Sequence, residues 1–318
     1  MRTSVGSSSR AGHAMEDTEW ERLIAQLKAG RCAPFLGAGA CYGSLKMGSQ
    51  LSEQWADEYD YPFVDRGDLA QVMRYVTVHE GDPIYVKEKF LDQDIRGAAP
   101  PDFSDPSEPH TALARFPIPI YLTTNYDDFM VRALQHAGKK PRQVLCPWYP
   151  SAPFHPEDFQ PPEGEPPAAH PIVYHLHGHA NAPESLVLTE DDYIEFLVAL
   201  GEERNQPVHM SASPSPSFLP PPVAESLARM PLLFVGYSLR DWTFQVILQG
   251  IVKALPRTMH RRHVSVQMLP LQAGATDDQR RRAENYLTRY FNGLNISVYW
   301  GSAADFFREL DQRAGGMP

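Results

Sequence analysis

Four short polar stretches carry the side chains capable of chemistry, and each follows an apolar run directly or within two residues. In the first, Gly37-Ala38-Gly39-Ala40-Cys41, the glycine spacing lets backbone N–H groups approach a phosphate, and a helix N-terminus behind the loop would favour negative charge. Gly43 falls one position late for the dinucleotide fingerprint GxGxxG, so the loop fits a phosphate cradle or a bare structural turn equally well. Thr123-Thr124-Asn125-Tyr126-Asp127-Asp128 is more polar than a turn requires. Asn125 could hold a water or a ribose hydroxyl beside a reacting carbon; capping of the following helix by Asn125 or Asp127 is the competing role.

The third stretch contains His175, His177 and His179, which share one face if the chain there is extended. An HxH pair can hold zinc, but no second cluster of His, Cys or carboxylates stands at recognisable spacing, and no metal is expected. His175 fits a satisfied core histidine. His177, beside flexible Gly178, is the candidate general base near neutral pH. In the fourth stretch, Gly236-Tyr237-Ser238-Leu239-Arg240-Asp241, Gly236 permits close backbone approach, Ser238 can bond a phosphate or ribose, and Asp241 can accept ribose hydroxyl protons. Helix capping by Ser238 or Asp241 is the alternative. Cys41 has no histidine beside it in sequence, which points to packing rather than nucleophilic work.

Positioning these groups requires strands that end where the polar residues begin. Ala33 to Leu36, Pro117 to Leu122, Ile172 to Leu176 and Leu232 to Val235 are the apolar runs preceding the four stretches, and His263 to Leu269 and Asn295 to Trp300 are further strand candidates. Helical spacing spans 16 to 29, recurs at Leu51, Trp55 and Tyr59, at Phe129, Val131 and Leu134, and at Trp242, Val246 and Ile247, and returns near 276 to 291 and 302 to 312. Strands alternating with helices predict an α/β fold, a Rossmann-like, doubly wound and mostly parallel sheet. In such a sheet ligands bind beyond the carboxyl ends of the strands, where all four stretches lie. Two Pro-rich segments, about 147–170 and 204–222, lack an apolar period and are expected as loop insertions within one domain over 15–318.

Composition narrows the function classes. With 318 residues, 42% of them hydrophobic, the chain can bury a large core, and no run approaches the ~18 apolar residues of a membrane span. Residues 1–14 hold Ser7, Ser8, Ser9 and Gly12 without an apolar segment, which predicts a disordered tail, no export signal and a cytoplasmic location. Cys32, Cys41 and Cys146 make an odd count with no CxxC spacing, so a self-contained four-cysteine zinc site cannot form. A net charge of −10 argues against general nucleic-acid binding, leaving any such contact indirect.

Taken together, GAGAC at 37–41, TTNYD at 123–127, LHGH at 176–179 and GYSLRD at 236–241 resemble the sirtuin-like family in order and spacing, most closely its bacterial anti-phage defence branch. The likeness extends to Pro109-His110, to Leu186-Val187-Leu188-Thr189 and to Asp192-Tyr193, and covers about residues 20 to 312. It implies NAD+ as substrate, with Asn125 and His177 promoting loss of nicotinamide. It also implies that the glycine loop (Gly37, Ala38, Gly39, Cys41) lies on the pyrophosphate, and that Thr124, Asp127, Gly236, Ser238 and Asp241 join the site. Asp127 would contact the nicotinamide amide or orient Asn125. Cys41 stands where the family usually has serine, and the four-cysteine zinc module of the deacylases cannot be built. The resemblance therefore favours NAD+ hydrolysis over deacylation or ADP-ribosyl transfer; a module that senses NAD or ADP-ribose without turnover is the alternative of another class. An NADase of this kind needs control by self-assembly, by a separately encoded partner such as a ring-forming ATPase, or by occlusion through the Pro-rich insertions.

Overall fold

The structure, a computed structural model, describes residues 15–149, 152, 155–205, 219–237, 261–271 and 274–315. Seven short strands build it: β1 (Ala33–Leu36), β2 (Ile120–Thr123), β3 (Arg142–Leu145), β4 (Ile172–His175), β5 (Leu232–Val235), β6 (His263–Gln267) and β7 (Ile296–Trp300). They form one sheet in the order β3-β4-β2-β1-β5-β6-β7, every pair parallel, which is the expected Rossmann-like α/β architecture. A parallel sheet must be covered on both faces, and β1, β2, β4 and β5 are accordingly buried throughout.

Side chains alternate between the two covering layers, as the period-2 pleat dictates. Phe35, Leu122 and Phe234 point into one core with Phe196, Val223 and Phe291. Leu36, Tyr121, Leu233 and Val235 point into the other, against helix α1 (Asp17–Lys28) and the helix Ala303–Ala314. In α1, Trp20, Leu23 and Leu27 recur at helical spacing on the buried face, and the Trp20 ring stacks on Phe306 at 5.1 Å. Burying each such side chain contributes roughly 1.5–3 kcal/mol.

Between β1 and β2 the chain makes a helical module, α2 (Gly48–Glu58), α3 (Leu69–Glu80) and α4 (Pro83–Asp94), with its own apolar core of Trp55, Val72, Met73, Val76, Val86 and Phe90. Asp68 caps α3 by accepting the Ala70 and Gln71 N–H groups; Asp82 does the same for α4 from Ile84 and Tyr85, with Pro83 opening the helix. The module packs on the chain beyond β4, burying Ala180, Leu186 and Leu188 in the same core. Two cations fasten it there. The buried Lys87 ammonium donates to the Leu186 carbonyl at 2.8 Å and to Asp192 at 2.7 Å, while Arg96 donates twice to the Ala180 carbonyl at 3.0 and 2.7 Å.

Among its described residues the Pro-rich stretch 147–170 is the expected loop, with one short 3-10 turn, Pro156–Phe159, but it is packed on the sheet: Trp148 and Phe159 are buried in the main core. Arg142 on β3 donates to the Asp158, Gln160 and His170 carbonyls, so a single guanidinium satisfies the backbone of a loop too irregular to satisfy itself. In the second Pro-rich stretch, residues 206–218 lie outside the described residues, as does the helix expected around Trp242, Val246 and Ile247. Among the described residues no helix is long and apolar enough to cross a membrane.

Candidate functional site

Register brings the polar stretches to one level. Leu36, the last residue of β1, pairs with Thr123 of β2 and with Val235 of β5, and Thr123 pairs in turn with His175 of β4. The residues that follow, Gly37, Thr124, Leu176 and Gly236, therefore leave the sheet side by side. From β1 the chain returns to β2 on one side, while β5 is added on the other. The crevice between the carboxyl ends of β1 and β5 is the topological switch point where open α/β sheets bind ligands.

At that point two glycine turns touch. Gly39 N–H donates to the Gly236 carbonyl and Gly37 N–H to the Val235 carbonyl, each at 2.9 Å, and Ala40 N–H turns back to the Gly37 carbonyl. Gly236 has φ +81°, and a Cβ there would lie 2.2 Å from the Ala40 nitrogen, so only glycine fits. The glycines thus serve first to seat one loop on the other. Three of the loop's N–H groups are committed to protein carbonyls, and a short 3-10 turn, Ala38–Cys41, follows β1 in place of a long helix. Tyr237 completes the junction: its hydroxyl donates to the Leu36 carbonyl at 2.9 Å and lies 3.1 Å from Thr124 Oγ1. Ser238 and Asp241 lie outside the described residues.

Asn125 is held from both ends. Its Nδ2 donates to the Gly37 carbonyl and to Cys41 Sγ, both at 3.2 Å; its N–H donates to Thr123 Oγ1 and its carbonyl lies 3.1 Å from His175 Nδ1. The side chain is partly exposed, in contrast to what lies behind it. There, Cys41 Sγ donates to Asp127 Oδ2 at 3.2 Å and faces His110 Nε2 at 3.9 Å, while His110 Nδ1 meets Glu108 Oε1 at 2.6 Å. All four side chains are buried. Asp127 also accepts the N–H of Phe129, the first residue of the helix Phe129–His136, through Oδ1, although the N-cap position is Asp128, whose side chain makes no capping bond. Burial, then the charges of Asp127 and Glu108, push the Cys41 thiol well above its ordinary pKa. Cys41 is a protonated thiol, which agrees with packing over nucleophilic work. It does have a histidine neighbour, supplied from 69 positions away, a separation that conceals the pair in the sequence. Burial opposes ionisation of Glu108, but His110 and the backbone N–H groups around it hold its carboxyl below the usual range.

The three histidines do not share a face. β4 ends at His175, and Gly178, at φ +88° with its Cα against the Ser185 backbone, turns the chain. His175 and His179 pack edge to face at 4.9 Å, whereas His177 is pressed between Phe196 at 4.9 Å and Tyr193 at 5.4 Å, both on the helix Glu190–Asn205. The contact between the histidine stretch and Asn125 is made by His175. Burial pushes both His175 and His177 down to about pKa 3, and lowers His179 against the pull of Asp128 and Asp127. His177 is therefore neutral across the physiological range, with its Nε2 buried and without a hydrogen-bond partner among the described residues. Glu108, His110 and Tyr237 are the site residues to which sequence reasoning assigned no role. Pro109-His110 stood out only as part of a family likeness.

A parallel sheet with a glycine junction and a pinned asparagine at its switch point is a Rossmann-like α/β domain with its candidate site at the strand ends. The chain belongs to the SIR2-like domain family, whose pattern matches residues 119–292, more than half of its length. Among curated proteins it is similar to the NAD(+) hydrolase ThsA of Acinetobacter baumannii, with 27% identity over 235 residues, covering 73% of this chain and 41% of that protein. The NAD(+) hydrolase ThsA of Bacillus cereus is 25% identical over 240 residues (74% and 43%), and that of Enterococcus faecium 26% over 269 residues (81% and 48%). The chain spans less than half the length of these relatives.

Proposed function

We propose that the chain hydrolyses the N-glycosidic bond of NAD+, releasing nicotinamide and ADP-ribose, as an effector of bacterial anti-phage defence that acts by NAD+ depletion. The observation that supports this most directly is the asparagine amide fixed by Gly37 and Cys41 at the switch-point crevice, partly exposed and backed by a buried polar cluster. The names of the ThsA relatives point to the same reaction.

In this reading Gly37, Ala38, Gly39, Cys41 and Gly236 line the pyrophosphate side, with Ser238 and Asp241 beside the ribose, and Thr124 and Asp127 flank the nicotinamide side. As the bond from C1′ to the pyridinium nitrogen breaks, its electron pair stays on the nitrogen and nicotinamide leaves neutral. The ribosyl carbon left behind carries developing positive charge. A water held by Asn125 adds to that carbon, and His177 takes a proton from that water or from a ribose hydroxyl. Such dissociative chemistry depends on positioning and electrostatics more than on covalent help. Burial keeps His177 in the neutral form but holds its basicity far below that of the general base near neutral pH expected from the sequence, so in this reading the polar groups of bound NAD+ must restore its basicity. Control by self-assembly or by a separately encoded partner, such as a ring-forming ATPase, belongs to the same reading.

The test is incubation of the purified chain with NAD+ and chromatography of nicotinamide and ADP-ribose. Asn125→Ala should lower turnover by about 10²–10³, the usual cost of one oriented polar group in a dissociative site. Wild-type turnover that survives unchanged in Asn125→Ala refutes the assignment. NAD+ consumed only with a protein acceptor present would instead indicate ADP-ribosyl transfer.

A further inference from the structure

Behind Asn125, Cys41 Sγ, His110 Nε2 and Asp127 Oδ2 come together with all three ligand atoms within 4.8 Å of one another. We propose that these three side chains form a site for a Zn2+ ion, whose binding inhibits the enzyme.

The two spacings from the sulfur fit that ion. A tetrahedral zinc with Zn–S near 2.3 Å and Zn–N or Zn–O near 2.0–2.1 Å sets its sulfur and its nitrogen or oxygen ligands roughly 3.5 Å apart. Here Sγ lies 3.2 Å from Asp127 Oδ2 and 3.9 Å from His110 Nε2, spacings that bracket that value. The orientation of the imidazole is fixed as well. Glu108 Oε1, 2.6 Å from His110 Nδ1, takes that N–H and leaves the Nε2 lone pair facing Cys41; Glu108 Oε2 is held by the Thr111 N–H. A carboxylate that orients a histidine in this way is the outer partner of protein zinc sites. Asp127 is likewise oriented, its Oδ1 accepting the Phe129 N–H while Oδ2 stays on the cluster. One sulfur, one nitrogen and one oxygen donor favour Zn2+ over the hard cations Mg2+ and Ca2+. Three protein ligands leave a fourth position for water.

Neither CxxC spacing nor a second cluster beside the HxH pair marks this site in the sequence. Its ligands come from the first glycine loop, the helix Pro109–Ala114 and the loop after β2, and only the fold assembles them. The inhibitory half of the proposal rests on the hydrolase reading: zinc would engage Cys41 and Asp127, two residues that reading places against NAD+.

Co2+ titration of the chelator-stripped full chain tests the site without turnover, because thiolate ligation gives cobalt a charge-transfer band in the near ultraviolet. About one equivalent should bind with that band, displacing the Cys41 proton to solvent, so that binding tightens as the pH rises. Cys41→Ala should abolish the band, and Glu108→Gln, which removes no ligand, should weaken binding by about 10–100-fold. Thermal melts check that the variants fold, and Cys146→Ala should leave the band intact. In the activity arm, saturating Zn2+ should suppress NAD+ cleavage by wild type at least tenfold, with recovery on adding chelator. Cobalt binding without the band, or unchanged by Cys41→Ala and Glu108→Gln, overturns the site. Binding as expected with undiminished NAD+ cleavage overturns the inhibition. Absence of cleavage in the chelator-treated protein would count against the hydrolase reading alone, since the cobalt titration judges the site independently.

Discussion

Acidification should unfold this protein through its buried histidines, and by an amount that can be worked out for His177. Its folded pKa of about 3 lies below the unfolded value of ~6.5, so as the pH falls the unfolded chain takes up the proton first. The stability it supports is complete above about pH 6.5 and is lost progressively toward pH 3. At pH 5 the unfolded state is favoured by about 1.5 pH units at 1.36 kcal/mol each, or ~2 kcal/mol. His175, lowered to the same value, adds a similar amount. Urea denaturation at pH 7.5 and pH 5.0 gives the acid-induced loss directly, and His177→Asn supplies the non-titrating comparison. Any packing defect caused by the replacement is present at both pH values and cancels. The variant should lose ~2 kcal/mol less than wild type between the two conditions. An equal acid-induced loss in both proteins would show that His177 titrates alike folded and unfolded, and so is not enclosed by Phe196 and Tyr193 as described.

Other substitutions probe the scaffold. Gly236→Ala forces a methyl group against the Ala40 nitrogen at positive φ and should cost roughly 2–4 kcal/mol in thermal or urea melts; stability within 0.5 kcal/mol of wild type would contradict the loop junction. Lys87→Met leaves the half-buried Asp192 without its cation and should cost about 3–5 kcal/mol, with part of that recovered in the Lys87→Met/Asp192→Asn double variant, which keeps an acceptor for the Leu188 and Thr189 N–H groups. Arg142→Met should release the segment 155–170, seen as faster limited proteolysis there with little change at β1 or β5.

Much of the sheet was legible because its central strands are short apolar runs that end in glycine or a polar cluster. Ala33–Leu36 and Leu232–Val235 are strands in the structure with the bounds the sequence suggests. β3 was not legible: as an edge strand reading Arg-Gln-Val-Leu, half exposed, it has no buried run to detect. Helices α3 and α4 are capped by Asp68, Gly81, Asp82 and Pro83, local signals present in the sequence but outweighed by a polar segment with weak periodicity. At the site, the sequence indicated which residues share a rim, because strand ends fix that. It could not indicate which way His177 faces, since a glycine turn decides it, nor that His110 meets Cys41, since no local rule relates residues 69 positions apart.

The Lys87 and Arg96 contacts carry a mechanical consequence. Lifting the helical module off the histidine stretch would strand an ammonium group, a carboxylate and two backbone carbonyls in an apolar seam at once. Those losses come together, so the module and the chain carrying His177 behave as one lever arm. Whatever grips the outer surface of α3 and α4 has a handle on the histidines.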